Sequence, residues 1–411
     1  MSAVALAKPN PRIFYGWYVV AATFAITLVG FGCAYTFSTF LDPLQKEFGA
    51  SRGSVSLVFS FAGFLYFGLG IISGPLADCF GSRPLALIGM VLTGLGLAAA
   101  GLARNLVEVY AAYSVGVGVG LGIAYVPAVG AVQRWFVRHR GMASGLAVGG
   151  IGVGTLAMPP LAALFISAWG WRTAYVALGL IALVVGAGMA TLIADDPRNR
   201  GLAPDGERAA DAPPATQPAG ASVREAIRTR QFWQLYAACL ICALGVFVPF
   251  VHLVPYAVDH GVAQSAAVLL LGAIGVGSTA GRFLLGGLAD RMGRAAALTV
   301  MFAGMAVALA IWSIAAGFWS LAVFAVVFGV FYGGWVAVLP SVVMDVFGGR
   351  NVSGIIGVLY TSVAFGTLIG PSAAGFAFDI AHSYLLPIIV SVATNIVAAA
   401  IVGFVPIRAR N

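Results

Sequence analysis

The sequence is short of charge. Asp, Glu, Lys and Arg make up only 9% of its 411 residues, against about a quarter in soluble globular domains. That deficit excludes an ordinary soluble domain. Cysteine is scarce too: Cys33, Cys79, Cys239 and Cys242 offer no disulfide framework. Cys239 and Cys242 form a C-x-x-C, but in an apolar stretch without a nearby ligand pair, and are read as helix packing. The opening MSAVALAKPNPRIFYGWYVV lacks a secretory cleavage site and is expected to be retained. No loop carries paired carboxylates, a nucleophile with its base, or metal-ligand spacing. An enzyme is therefore not expected, nor a cofactor or metal.

Apolar residues and glycine fill the gap, at 61% hydrophobic with 54 glycines. Stretches long enough for a hydrocarbon core roughly 30 Å thick recur twelve times, near 14–40, 54–77, 84–103, 106–132, 141–168, 173–193, 232–257, 264–289, 295–316, 319–345, 352–378 and 383–406. Sorted by loop, 17 of the 22 Lys and Arg fall on one side and Lys46, Arg52, Arg104 and Arg172 on the other, with Arg282 inside a stretch. The positive-inside rule then places both termini in the cytoplasm of a multi-pass protein of the cell (inner) membrane. The net charge of +8 is thus a matter of topology; no folded basic domain is left to bind nucleic acid.

One polar interruption, DDPRNRGLAPDGERAADAPPATQPAGA, cannot bury a core and reads as a linker. It closes on Ser222-Val-Arg-Glu225, a capping-box spacing. Residues 1–194 and 232–411 are expected to form two six-helix bundles joined by a cytoplasmic linker at 195–231. The halves repeat one another: GPLADCFGSRP at 74–84 matches GGLADRMGRAA at 286–296, and VGTLAMPPLAA at 153–163 matches FGTLIGPSAAG at 365–375, both at a shift of 212. Parallel repeats with a site between them near the midplane describe a secondary transporter.

The doubled loop, with Leu76, Ala77, Asp78, Gly81 and Arg83 in one copy and Leu288, Ala289, Asp290, Gly293 and Arg294 in the other, resembles the G-x-L-A-D-x-x-G-R-R motif of the major facilitator superfamily. That resemblance implies an all-α membrane protein of twelve transmembrane helices in two pseudo-symmetric bundles. It also implies that Asp78, Arg83, Asp290 and Arg294 act in gating by holding the halves together on the cytoplasmic side. FYGWYVV at 14–20, QRWFVRHRGMASGLAVGGIGVG at 133–154 and Arg282 together resemble the monocarboxylate transporters, including bacterial lactate transporters, and the related oxalate/formate exchangers. Ser278 stands where well-known monocarboxylate transporters have an aspartate. Residues 35–41 lack their first-span lysine, and Val363 occupies the region of a second cation in oxalate exchangers.

Arg282 lies about 12 Å along its helix from Asp290. A charge at such depth faces a cavity or a partner, or snorkels to the headgroups. A guanidinium matches a carboxylate two donors to two acceptors, and one arginine suits one carboxylate. His252, between Pro249 and Pro255, is either a proton-exchanging substrate contact or a buried neutral histidine held by a backbone carbonyl. Tyr35, Tyr125, Tyr332, Trp335, Tyr360 and Phe365 can shape a pocket, though such residues also serve lipid interfaces and packing; Ser278, Asp259 and His260 are further candidates. Glycines at 116, 118, 120, 122, 145, 149, 150, 154, 277 and 281 permit close helix approach. The expectation is a monomeric, alternating-access symporter of protons with a small organic anion such as lactate or pyruvate, with Arg282 and His252 in proton coupling. The alternatives are an oxalate/formate-type anion exchanger and, further off, efflux of drugs or other solutes.

Overall fold

The computed structural model describes residues 14–136, 139–206, 220–348 and 350–404; within them the side chains of Asp78, Arg140, Asp290, Arg294, Ser353 and Phe404 lie outside the described set. The described chain is almost wholly helical. The passes are α1 (Gly16–Phe48), α2 (Arg52–Gly68 continued by Gly70–Phe80), α3 (Ser82–Gly101), α4 (Leu106–Trp135), α5 (140–169), α6 (171–190), α7 (Arg230–Asp259), α8 (Gln264–Met292), α9 (Arg294–Ile314), α10 (Phe318–Phe347), α11 (Val352–Ala381) and α12 (Leu385–Phe404). Ten continuous helical stretches are long and apolar enough to cross a membrane, and the pair forming α2, bent by 41°, makes an eleventh. The stretch Gly141–Ala190 is 50 residues long, about 75 Å at 1.5 Å per residue, more than twice a bilayer core. Gly170, at φ 79° and ψ 163°, turns the chain back within it and divides α5 from α6.

The repeat inferred from the sequence reappears in the backbone. Positive φ occurs at Gly49 and Gly261, at Gly81 and Gly293, and at Gly170 and His382, each pair separated by the shift of 212. Glycine in the G-x-L-A-D-x-x-G loop is thereby explained. Gly81 (φ 88°, ψ 154°) and Gly293 (φ 87°, ψ 134°) join α2 to α3 and α8 to α9 in a conformation that side chains disfavour.

Local chemistry accounts for the other corners. Ser222 and Glu225 form the expected capping box, although the helix it starts, Val223–Ala226, is a single turn. Asp195, at the head of the linker, accepts from the Ser82 N–H at 2.6 Å and from Arg134 at 3.1 Å, tying α3 to α4. The two aromatic stretches that point to the same branch touch one another. Phe14 packs on Trp135 and Phe136, and Trp17 lies 5.0 Å from Phe136. A side chain at Gly16 would strike Phe14 and Phe136, so the glycine in FYGW is what lets that cluster close.

Three helix pairs join the halves, α2 with α11, α5 with α8 and α1 with α7. Within the second half α8 and α10 cross with backbones almost touching: a Cβ at Gly277 or Gly281 would meet the α10 backbone, and one at Gly329 or Gly333 the α8 backbone. This crossing sets the position of Arg282. Cys239 and Cys242 are buried in α7, where Cys242 donates to Asn395 on α12 at 3.3 Å.

Candidate functional site

A cavity of about 30 Å³ lies between the halves near the middle of the bundle. Its wall includes Tyr35 (α1), Tyr125 (α4), Tyr332 (α10), Tyr360 (α11) and Trp335. The rest is hydrocarbon: Phe31, Phe67, Ile151, Phe247, Val336, Leu339 and Val363. The spacing explains the membership. Phe31 and Tyr35 are four apart, Tyr332, Trp335, Val336 and Leu339 follow one helical face, and Tyr360 and Val363 are three apart. Enclosing ligand pockets run to roughly 300–1,000 Å³, so the halves are drawn together around this one. Tyr35 and Tyr332, from opposite halves, share a hydrogen bond of 2.9 Å.

Arg282 is 7% exposed. It is not on the wall itself, but interacts electrostatically with all four wall tyrosines, Tyr332, Tyr125, Tyr35 and Tyr360. Its Nη1 donates to the Val148 carbonyl of α5 at 2.7 Å, across the boundary between the halves. Its Nε and Nη2 are buried and meet no acceptor among the described residues, and neither does the Ser278 hydroxyl one turn earlier. No acid pairs with Arg282 in that set. Nε and Nη2 share one edge of the guanidinium, so their N–H bonds present the fork that a carboxylate accepts.

His252 and Phe365 are placed elsewhere. Phe365 is 45% exposed and packs against Phe64; two residues on from Val363, it points to another side of α11. His252 is fully buried near the end of the bundle that carries Arg52, away from the cavity wall. Its Nε2 lies 2.8 Å from the Pro371 carbonyl and 3.4 Å from the Ser56 hydroxyl, and its Nδ1 lies 3.0 Å from the Tyr384 hydroxyl. A carbonyl only accepts, so Nε2 carries the proton. In the neutral ring Nδ1 then accepts from Tyr384, whose oxygen receives Arg52 Nη1 at 3.0 Å.

Of the gating candidates, Arg83 is exposed at the start of α3, and the side chains of Asp78, Asp290 and Arg294 lie outside the described set. Sequence reasoning missed Arg52, Asp379 and Tyr384, which meet Asp259 and His252 at one end of the bundle. Tyr384 lies 332 positions from Arg52, and no pattern in either segment announces the contact.

The chain matches the family model of the Major Facilitator Superfamily over residues 22–318 and 242–411. It is 30% identical to monocarboxylate transporter 4 of Rattus norvegicus over 90% of this chain and 78% of that protein. It is 29% identical to monocarboxylate transporter 12-B of Danio rerio (90% and 82%) and 28% identical to monocarboxylate transporter 2 of Homo sapiens (92% and 82%). Among solved structures, a bacterial homologue of the human lysosomal transporter Spinster, in an inward-facing and unoccupied conformation, superposes with a TM-score of 0.71 over 97% of both chains at 18% identity, a likeness of fold. A fold built from two repeated halves, a small cavity between them and relatives of this kind converge on one conclusion: the chain belongs to the major facilitator superfamily, alongside the monocarboxylate transporters, and is a multi-pass membrane transporter, not an enzyme.

Proposed function

We propose that the protein carries short monocarboxylates, of the lactate or pyruvate kind, together with a proton, alternating its cavity between the two membrane faces. One observation carries this reading: a buried guanidinium with two adjacent N–H donors unmatched among the described residues. Burying such a group without an acceptor is costly, and a carboxylate supplies two acceptors and the countercharge. Arg282 is the sole buried arginine or lysine among the described residues. A second carboxylate would meet hydrocarbon at Val363, Leu339 and Phe247, which favours monocarboxylates over dicarboxylates.

In this proposal Tyr125, Tyr332, Tyr35 and Tyr360 shape the site around the anion, with Ser278 as a further donor. His252 serves proton coupling from its position toward the Arg52 end of the bundle, and the doubled loops serve gating. The Lys and Arg distribution puts the termini and the linker at 195–231 in the cytoplasm, and Arg52 outside. A proton travelling with the anion neutralises it, lowering the cost of closing the halves over the site.

The test is uptake by proteoliposomes under an imposed pH gradient. Symport predicts lactate or pyruvate accumulation driven by the gradient and lost in Arg282→Ala. Uptake that ignores the gradient and instead requires anion inside the vesicle would identify an exchanger. Saturable uptake persisting in Arg282→Ala would remove the site from Arg282.

A further inference from the structure

The end of the bundle that carries Arg52 holds a set of polar contacts with no part in the cavity. Arg52 opens α2, in the first half. Its guanidinium meets Asp259, at the end of α7 in the second half, through two bonds of 2.6 and 2.9 Å. The same guanidinium donates to Tyr384, between α11 and α12, and lies 4.0 Å over the Phe378 ring. Asp379 of α11 accepts the backbone N–H of Arg52 at 2.9 Å and of Gly53 at 2.8 Å. These are donors of the first turn of α2, which a helix cannot satisfy internally. A carboxylate from one half thus caps a helix of the other.

The backbones meet just beneath. A Cβ on Gly375 would come within 2.7 Å of Gly53 Cα, and one on Gly53 would enter the Phe376 ring. Steric fit and charge therefore converge where α2 crosses α11.

The pseudo-symmetry shows that the charges of Arg52 and Asp379 are not demanded by the fold. A shift of 212 carries Arg52 to Gln264 and relates Asp379 to Ser167, and both counterparts are uncharged and exposed. The same shift relates Asp259 to Glu47 and Tyr384 to Arg172, which pair with each other at 2.9 Å inside the first half. Only at the Arg52 corner does an ion pair among the described residues of these two corners join one half to the other.

We propose that Arg52, Asp259, Asp379 and Tyr384 form a one-sided latch that holds the halves closed at this end, and that the latch must part before the cavity can open there. Opening separates Arg52 from both carboxylates and uncaps α2. It also removes the Arg52 donor from Tyr384, and so alters the surroundings of His252. The proposal rests on the alternating-access reading but not on any role for Arg282.

Distances between spin labels test it on the full-length protein without substrate. Labels go on Lys46→Cys in the first half and Ser265→Cys in the second, both at exposed positions, with exposed Cys79 replaced by Ser and the three buried cysteines left in place. The unmodified latch should give a predominantly short distance. Arg52→Gln and Asp379→Asn should each shift the majority to a longer one, and Gly375→Ala should do so by steric means alone. The exchange Arg52→Asp with Asp259→Arg should recover part of the short population. Folding is checked for each variant by a single size-exclusion peak. Unchanged distances in Arg52→Gln and Asp379→Asn, or an exchange variant as open as Arg52→Gln, would overturn the latch. A failure of Arg282 to bind carboxylates would leave these distances untouched, so the two ideas fail separately.

Discussion

At the scale of the residue, Arg282 combines a charge with a shape, and Arg282→Lys separates them. Lysine keeps a positive group at this depth but loses the planar fork. Hydrogen bonds to charged groups contribute roughly 1.5–3 kcal/mol each, so Arg282→Lys should weaken monocarboxylate binding by on the order of tenfold or more, and Arg282→Ala should remove it. Titration of purified protein by calorimetry checks both. Ser278→Ala removes a hydroxyl with no partner of its own among the described residues; it should leave stability nearly unchanged and reduce affinity by a few-fold, about 1 kcal/mol. His252→Gln can keep a donor toward the Pro371 carbonyl while losing the titrating ring. Uptake by that variant should lose much of its pH dependence, and a full pH dependence would assign proton coupling to another group. Arg282 was legible from sequence because a lone charge in an apolar run is conspicuous. The position of His252 was not, since flanking prolines reveal a bend in α7 but not the direction its side chain takes.

At the scale of the element, helices were legible because length and apolar content mark each pass, and the sequence limits fall within a few residues of the observed ends, apart from the far end of α1, which runs on to Phe48. What periodicity could not supply was the conformation of the connecting glycines. Gly293 has open space where a Cβ would go, so Gly293→Ala isolates the backbone cost of its φ of 87°. Residues forced into such regions cost about 1–3 kcal/mol, and thermal unfolding in detergent should show a lowered Tm without any loss of substrate affinity. Gly333→Ala probes a different quantity. Its Cβ would collide with the Ser278 backbone, prising α10 from α8 at the level of Arg282. Overpacking of this kind costs roughly 1–3 kcal/mol, and here both Tm and affinity should fall.

At the scale of the whole molecule, the repeat was legible in two short sequence blocks and returns as paired turns. The meeting of α2 with α7 and α11 was not, because contacts between halves join segments hundreds of positions apart that share no local pattern. Orientation is open to a simple check. Cys79 is the exposed cysteine at the α2–α3 corner, on the side assigned to the cytoplasm by the charge distribution. A membrane-impermeant maleimide should label it only after permeabilisation of whole cells; labelling of intact cells would invert the topology. The central claim, that a single buried guanidinium selects one carboxylate, is tested most directly by thermal stabilisation of the purified protein across mono- and dicarboxylates, because a ligand that binds the folded state raises its apparent stability. Lactate and pyruvate should raise the Tm of the wild type and leave Arg282→Ala unmoved, while oxalate and malonate should have little effect on either. Equal stabilisation by dicarboxylates, or a shift that survives in Arg282→Ala, would contradict the account.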